Sequence, residues 1–144
     1  MATIHFTTTT TATPEQFTAA VTDFGPGRSE LFGNTDDRQL KVHDQGPNWA
    51  DVTEGNVLAW ERNRYEWNAG AGEVTVTAVE SDSWAPGSQW RYRLQPSAAG
   101  GTQVDVTAVR TGRGLRGRLL GSLLGVFGVR VLRSDMEKVL ARVR

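Results

Sequence analysis

From Leu40 to Thr111 apolar residues recur at every second position, and turn residues break the run at Gly46-Pro47, Gly55-Asn56, Asn68 to Gly72, Pro86-Gly87 and Pro96 to Gly101. Alternation with period two marks a strand with one buried face and one wet face, while Gly, Pro and Asn mark the reversals. The breaks leave six segments. Three keep strict parity: Val74, Val76 and Ala78; Trp90, Tyr92 and Leu94; Val104, Val106 and Ala108. Connections this short join antiparallel neighbours, so the region predicts a meander. The segment from Leu58 to Trp67 is longer, and its parity slips between Trp60 and the pair Tyr65 and Trp67, which predicts a bulge there.

The flanks read differently. Ala2 to Thr11 is rich in β-branched residues with Ile4 and Phe6 on one parity, a strand expected near a sheet edge. A helix start follows: Thr13 as N-cap, Pro14 in the first helical position and Gln16 three residues after the cap complete a capping box. Phe17, Ala20, Val21 and Phe24 then form an apolar stripe that Gly25-Pro26 stops, and a second short helix is expected from about Ser29 to Phe32, ended by Gly33-Asn34. Leu115 to Arg144 has no Pro and keeps helical spacing through Leu119, Leu123, Phe127, Leu132, Met136 and Val139. Gly117, Gly121, Gly125 and Gly128 line one stripe of that helix. Each costs about 0.8 to 1 kcal/mol relative to Ala, so either close approach of the helix backbone to the sheet or room for a ligand must offset the loss.

Composition narrows the chemistry. A chain of 144 residues is expected to form one domain spanning residues 1–144. With no Cys and only His5 and His43, thiolate chemistry and zinc ribbons cannot be built, and no metal-ligand spacing or cofactor motif stands out. The N-terminus has neither the basic start nor the apolar stretch of a secretion signal, so a cytoplasmic protein is expected. The longest nearly apolar stretch, Leu119 to Val129, is far short of the roughly 20 residues that cross a bilayer. The formal net charge is zero, which gives no pull toward nucleic acid. That neutrality is a cancellation: residues 1–109 hold 7 basic and 14 acidic residues, and residues 110–144 hold 9 basic and 2 acidic. The basic helix leaves peripheral membrane contact open as a third functional class.

The order of elements, one strand, two short helices, six antiparallel strands and a long C-terminal helix, resembles the helix-grip fold of the START-like superfamily, also called SRPBCC. Asp23-Phe24-Gly25-Pro26-Gly27-Arg28, Val42-His43-Asp44, Ala50 to Gly55, Trp60-Glu61-Arg62, Tyr65-Glu66-Trp67 and Gly117 to Gly121 resemble a polyketide cyclase-like, actinobacterial branch of it. The resemblance implies an α+β fold in which a sheet of about seven strands curves around the C-terminal helix and leaves a cavity between them. Many members bind an apolar molecule there, and a minority do chemistry on it.

The cavity wall is then expected to include Trp60, Tyr65, Trp67, Trp90, Tyr92, Val106, Leu123 and Phe127, with Trp49 and Trp84 at its mouth, although the same residues could be ordinary core. An aromatic wall with a few polar tips suits a flat hydrophobic ligand such as a lipid or polyketide. Ring closure by an aromatase/cyclase, the alternative, needs an acid or base and a group that polarises a carbonyl, for which Tyr65, Tyr92, Glu61 and His43 are the candidates. Asp51 and Glu54 flank Val52 as a further carboxylate pair, which could equally be a solvated face. Gly112 to Gly117 matches G-x-G-x-x-G but lacks the second parallel strand of a dinucleotide site. Its arginines, Arg113, Arg116 and Arg118, could hold an anionic group near a helix start.

Overall fold

The computed structural model describes residues 2–32, 35–56 and 59–142; in the last helix the side chains of residues 116–117, 120–129 and 131–132 also lie outside the description. Seven strands form one sheet: β1 (Ala2–Thr10), β2 (Lys41–Gly46), β3 (Trp49–Gly55), β4 (Trp60–Asn68), β5 (Glu73–Ser81), β6 (Gln89–Pro96) and β7 (Thr102–Arg110). Their order is β1-β7-β6-β5-β4-β3-β2, and every neighbouring pair is antiparallel. Two short helices, α1 (Pro14–Val21) and α2 (Arg28–Leu31), follow β1, and α3 (Gly114–Arg142) closes the chain. This is the expected α+β helix-grip architecture, with β1 at a sheet edge.

Local chemistry explains the elements. Thr13 Oγ1 accepts from the Gln16 N–H at 3.1 Å while Gln16 Oε1 accepts from the Thr13 N–H at 2.8 Å, so the capping box forms as read. The helix ends at Val21, short of Phe24, with Thr22 as its C-cap and the Thr22 hydroxyl donating to the Thr18 carbonyl. A 3-10 turn at Asp37–Gln39, capped by Asp36, was not foreseen. Gly55 ends β3 at φ +128°, where a side chain would collide with the Ala59 carbonyl, so the β3–β4 reversal requires glycine there.

The core follows the strand parities. Ile4, Phe6, Val52, Val74, Val76, Leu94, Val104, Val106 and Ala108 pack with Phe17 and Val21 of α1 and with Met136, Val139 and Leu140 of α3. The register slips within the expected stretch, between Arg62 and Asn63, but the extra residue is on the partner strand. Arg62 pairs with Glu80 and Asn63 with Ala78, so the extra residue is Val79 on β5, and Glu61, Asn63, Tyr65 and Trp67 of β4 keep one parity. Beyond Val79 the β5 parity is inverted, which turns Ser81 inward and leaves Val79 half exposed. The helix glycines Gly117, Gly121, Gly125 and Gly128 fall outside the described side-chain environments. Among the described residues, no helix is long and apolar enough to cross a membrane.

Candidate functional site

Between the sheet and the C-terminal half of α3 lies a cavity of ≈ 720 Å³. Its wall comes from residues of β3 to β7, Val21 of α1, the segments that follow α2 and β3, the β5–β6 connection, and Asp135, Met136, Lys138, Val139 and Arg142 of α3. Trp60, Trp84 and Trp90 are among the lining residues, and Trp90 stacks on Tyr92 with centroids 6.5 Å apart and planes at 11°. That volume is in the usual range for a small-molecule site.

Two carboxylates enter the wall side by side. Glu54 on β3 and Glu61 on β4 are direct cross-strand partners, a placement that repels unless each is balanced. Each has its own buried arginine. Arg28, at the start of α2, lies between the rings of Phe24 and Phe32, 4.6 and 4.7 Å from their centroids. Its Nη1 donates to the Val21 and Asp23 carbonyls at 2.8 and 2.7 Å, and its Nη2 donates to Tyr65 Oη at 3.1 Å and lies 3.6 Å from Glu54. Tyr65 in turn donates to Glu54 Oε2 at 2.5 Å. Burial opposes the Arg28 charge, but Tyr65 and Glu54 outweigh it and hold its pKa raised. Burial pushes the Tyr65 phenol well above its ordinary value, with Glu54 adding to the rise.

Arg110, the last residue of β7, serves Glu61 at 3.0 Å and stacks over Trp84 and Trp90 at 5.1 and 5.2 Å. Tyr92 is different from Tyr65. It is buried and lines the cavity, yet its hydroxyl makes no hydrogen bond among the described residues. Burial holds it protonated, against a smaller opposing pull from Arg110. Asn63 also lines the cavity, and its buried Oδ1 has no partner among the described residues.

The structure brings Trp60, Tyr65, Trp90, Tyr92 and Glu61 together in this wall, with Trp84 beside them. Others are placed elsewhere. Val106 is fully buried in packed core, and Trp67 packs against the core edge without lining the cavity. His43 is the extra residue of a bulge on the exposed edge strand β2, where its ring meets Thr53 Oγ1 at 2.7 Å, outside the cavity. Trp49 is not among the lining residues: its indole lies against Gly46 and under the Arg64 guanidinium. Arg113 bonds the Ser81 carbonyl at 3.2 Å, and Arg118 is exposed. Leu123, Phe127 and Arg116 lie outside the described side chains.

Asp51 and Glu54 separate onto opposite sheet faces, since Glu54 shares the inward parity of Ala50 and Val52, whereas Asp51 meets Arg62 on the outer face. Sequence reasoning missed Arg28, Asn63 and Arg110. Arg28 stands four residues from each of two phenylalanines, and Arg110 continues the apolar parity of Val104, Val106 and Ala108.

No family model and no curated protein matches the sequence. Solved structures do. The Zhui aromatase/cyclase from Streptomyces sp. R1128 superposes with a TM-score of 0.79 at 15% identity, over 98% of this chain and 92% of that one. A protein of Thermus thermophilus gives 0.76 at 16% identity over 98% and 96%, and a START superfamily protein from Mycobacterium smegmatis gives 0.76 at 12% over 99% and 97%. At these identities the likeness speaks for the fold, and the fold of this chain is the α+β helix grip shared with this aromatase/cyclase and this START superfamily protein.

Proposed function

We propose that this protein binds and carries a hydrophobic small molecule, a lipid, polyketide or compound of similar shape, in the cavity between sheet and C-terminal helix, and that it does so in the cytoplasm. The observation that carries the reading is the ≈ 720 Å³ cavity, whose wall sets Trp60, Trp84, Trp90 and Tyr92 beside polar residues that include Glu54, Glu61, Asn63 and Arg110. Aromatic faces take up flat apolar surface, and a few polar atoms fix its orientation. Three of the four groups considered for catalysis are engaged or remote. Glu61 is paired with Arg110, Tyr65 is held by Arg28 and Glu54, and His43 is outside. A proton-moving enzyme needs a base within reach of its substrate, and carriage needs none.

Native mass spectrometry of the purified protein tests this directly. The expected result is a co-purified mass released on denaturation, or quenching of tryptophan emission by added apolar compounds that saturates at one per chain. A protein that emerges empty and takes up no apolar compound overturns the reading.

One observation favours the aromatase/cyclase alternative. The Tyr92 hydroxyl is unbonded among the described residues and kept protonated, so it could donate to a developing enolate during aldol closure. Conversion of a poly-β-ketone model substrate that Tyr92→Phe abolishes, with ligand binding intact, would establish it.

A further inference from the structure

We infer that the cavity selects an uncharged ligand bearing at least one hydroxyl or keto oxygen, and that Glu61 is the residue that excludes anions. This rests on the carrier reading and sharpens it. Arg110 is the buried guanidinium in the wall, and Glu61 occupies its polar edge while Trp84 and Trp90 cover its faces. Arg28 is screened behind Tyr65 and Glu54 and does not reach the cavity. A ligand carboxylate or phosphate entering here would lose its hydration, meet Glu54 and Glu61, and find no vacant cation among the described residues of the buried wall. Lys138 and Arg142 stand at the helix side of the wall, but both are exposed, where ion pairs are weak.

Hydrogen bonding supplies the other half. Tyr92 presents a protonated hydroxyl to the cavity without a partner among the described residues, whereas the Asn63 side-chain carbonyl, also unpartnered among them, is fully buried and closed to a ligand. Buried polar groups left unbonded are costly, so a ligand that supplies partners gains what a pure hydrocarbon cannot.

Three probes of one shape separate the possibilities: pyrene, 1-hydroxypyrene and pyrene-1-carboxylate, each titrated at neutral pH with energy transfer from tryptophan as the signal. The hydroxyl probe should bind about two- to tenfold tighter than pyrene, the range set by one net hydrogen bond, and the carboxylate should bind weakest. Tyr92→Phe should shrink the first difference without weakening pyrene. Glu61→Gln should free Arg110 and improve carboxylate binding about tenfold or more, as expected for an unopposed buried charge. Equal binding of pyrene and 1-hydroxypyrene, tightest binding of the carboxylate to the unmodified protein, or no gain from Glu61→Gln in a protein with native circular dichroism would each overturn the inference and leave the carrier reading standing. Failure of all three probes to bind would remove both.

Discussion

The two buried guanidinium groups are held in opposite ways. Arg28 is held by two backbone carbonyls, a phenol, a carboxylate and the rings of Phe24, Phe32 and Tyr65, and only its buried Nε lacks a partner among the described residues. Arg110 has one carboxylate and two indoles, and its remaining surface faces the cavity. The first ties α2 and the end of α1 to the sheet, while the second is part of the surface a ligand would touch. Both are explained by the same sequence constraint, two glutamates directly opposite each other on β3 and β4. One counterion per carboxylate, drawn from different elements, offsets that repulsion.

The comparison predicts unequal losses. Arg28→Met strands Glu54 and two carbonyls in a closed site and should cost about 3 to 5 kcal/mol, the range for breaking a buried pair. Arg110→Met strands Glu61 beside an open cavity where water can enter, and should cost about 1.5 to 3 kcal/mol, the range for a hydrogen bond to a charged group. Urea denaturation of both variants reads the difference. If Arg110→Met proves the more damaging, Arg110 is the structural member and the assignment of roles is inverted.

The tyrosines sharpen the same contrast. Tyr65→Phe removes the hydroxyl that bridges Arg28 and Glu54 and should cost about 1.5 to 3 kcal/mol. Tyr92→Phe removes a hydroxyl without a partner among the described residues and should leave stability within about 0.5 kcal/mol. Similar losses for the two would mean that Tyr92 is bonded in solution.

The alkaline limb follows from the same burial. Both tyrosines of the chain are buried, and in both the folded-state pKa is raised. A raised folded value means that the stabilisation is complete below the unfolded value, about 10, and is lost as pH climbs toward the folded one. Stability should therefore fall from about pH 10 upward. Tyrosinate absorbance should appear only together with loss of the native circular dichroism signal, and titration of either phenol in a still-folded protein would contradict the packing.

Parity explains both what could be read and what could not. The meander was legible because Val74, Val76 and Ala78 and their counterparts on β6 and β7 alternate without interruption. The bulge was placed on the wrong strand because Trp60, the first residue of β4, imitates a slip, whereas the true extra residue, Val79, sits in a segment whose apolar run conceals it. Glu54 and Arg110 were visible in principle, since each continues an inward parity at a strand end where a charged residue is out of place. What no local pattern carries is their pairing. Glu61 and Arg110 are 49 residues apart and meet only because β3 to β7 wall one cavity, and Arg28 reaches Tyr65 across a 3-10 turn that the sequence did not announce.

The outer face supplies the reference for all these pairs and the smallest effect. Arg62 and Asp51 meet there in a bidentate bridge at 2.9 and 2.7 Å, with the arginine side chain 36% exposed. The hydrogen bond from Arg62 holds the Asp51 carboxyl below its usual value, against a smaller desolvation effect. A depressed folded-state pKa contributes stability above the unfolded value, about 3.9, and loses it as pH falls through the folded one. Solvent screening limits the contribution to less than about 1 kcal/mol. Asp51→Asn should therefore lower stability slightly at pH 7 and make the difference from the unmodified protein shrink below about pH 4. A loss at pH 7 as large as that of Arg28→Met would mean that the geometry of a charge pair matters more here than its burial, and the distinction between the inner and outer faces of the sheet would fail.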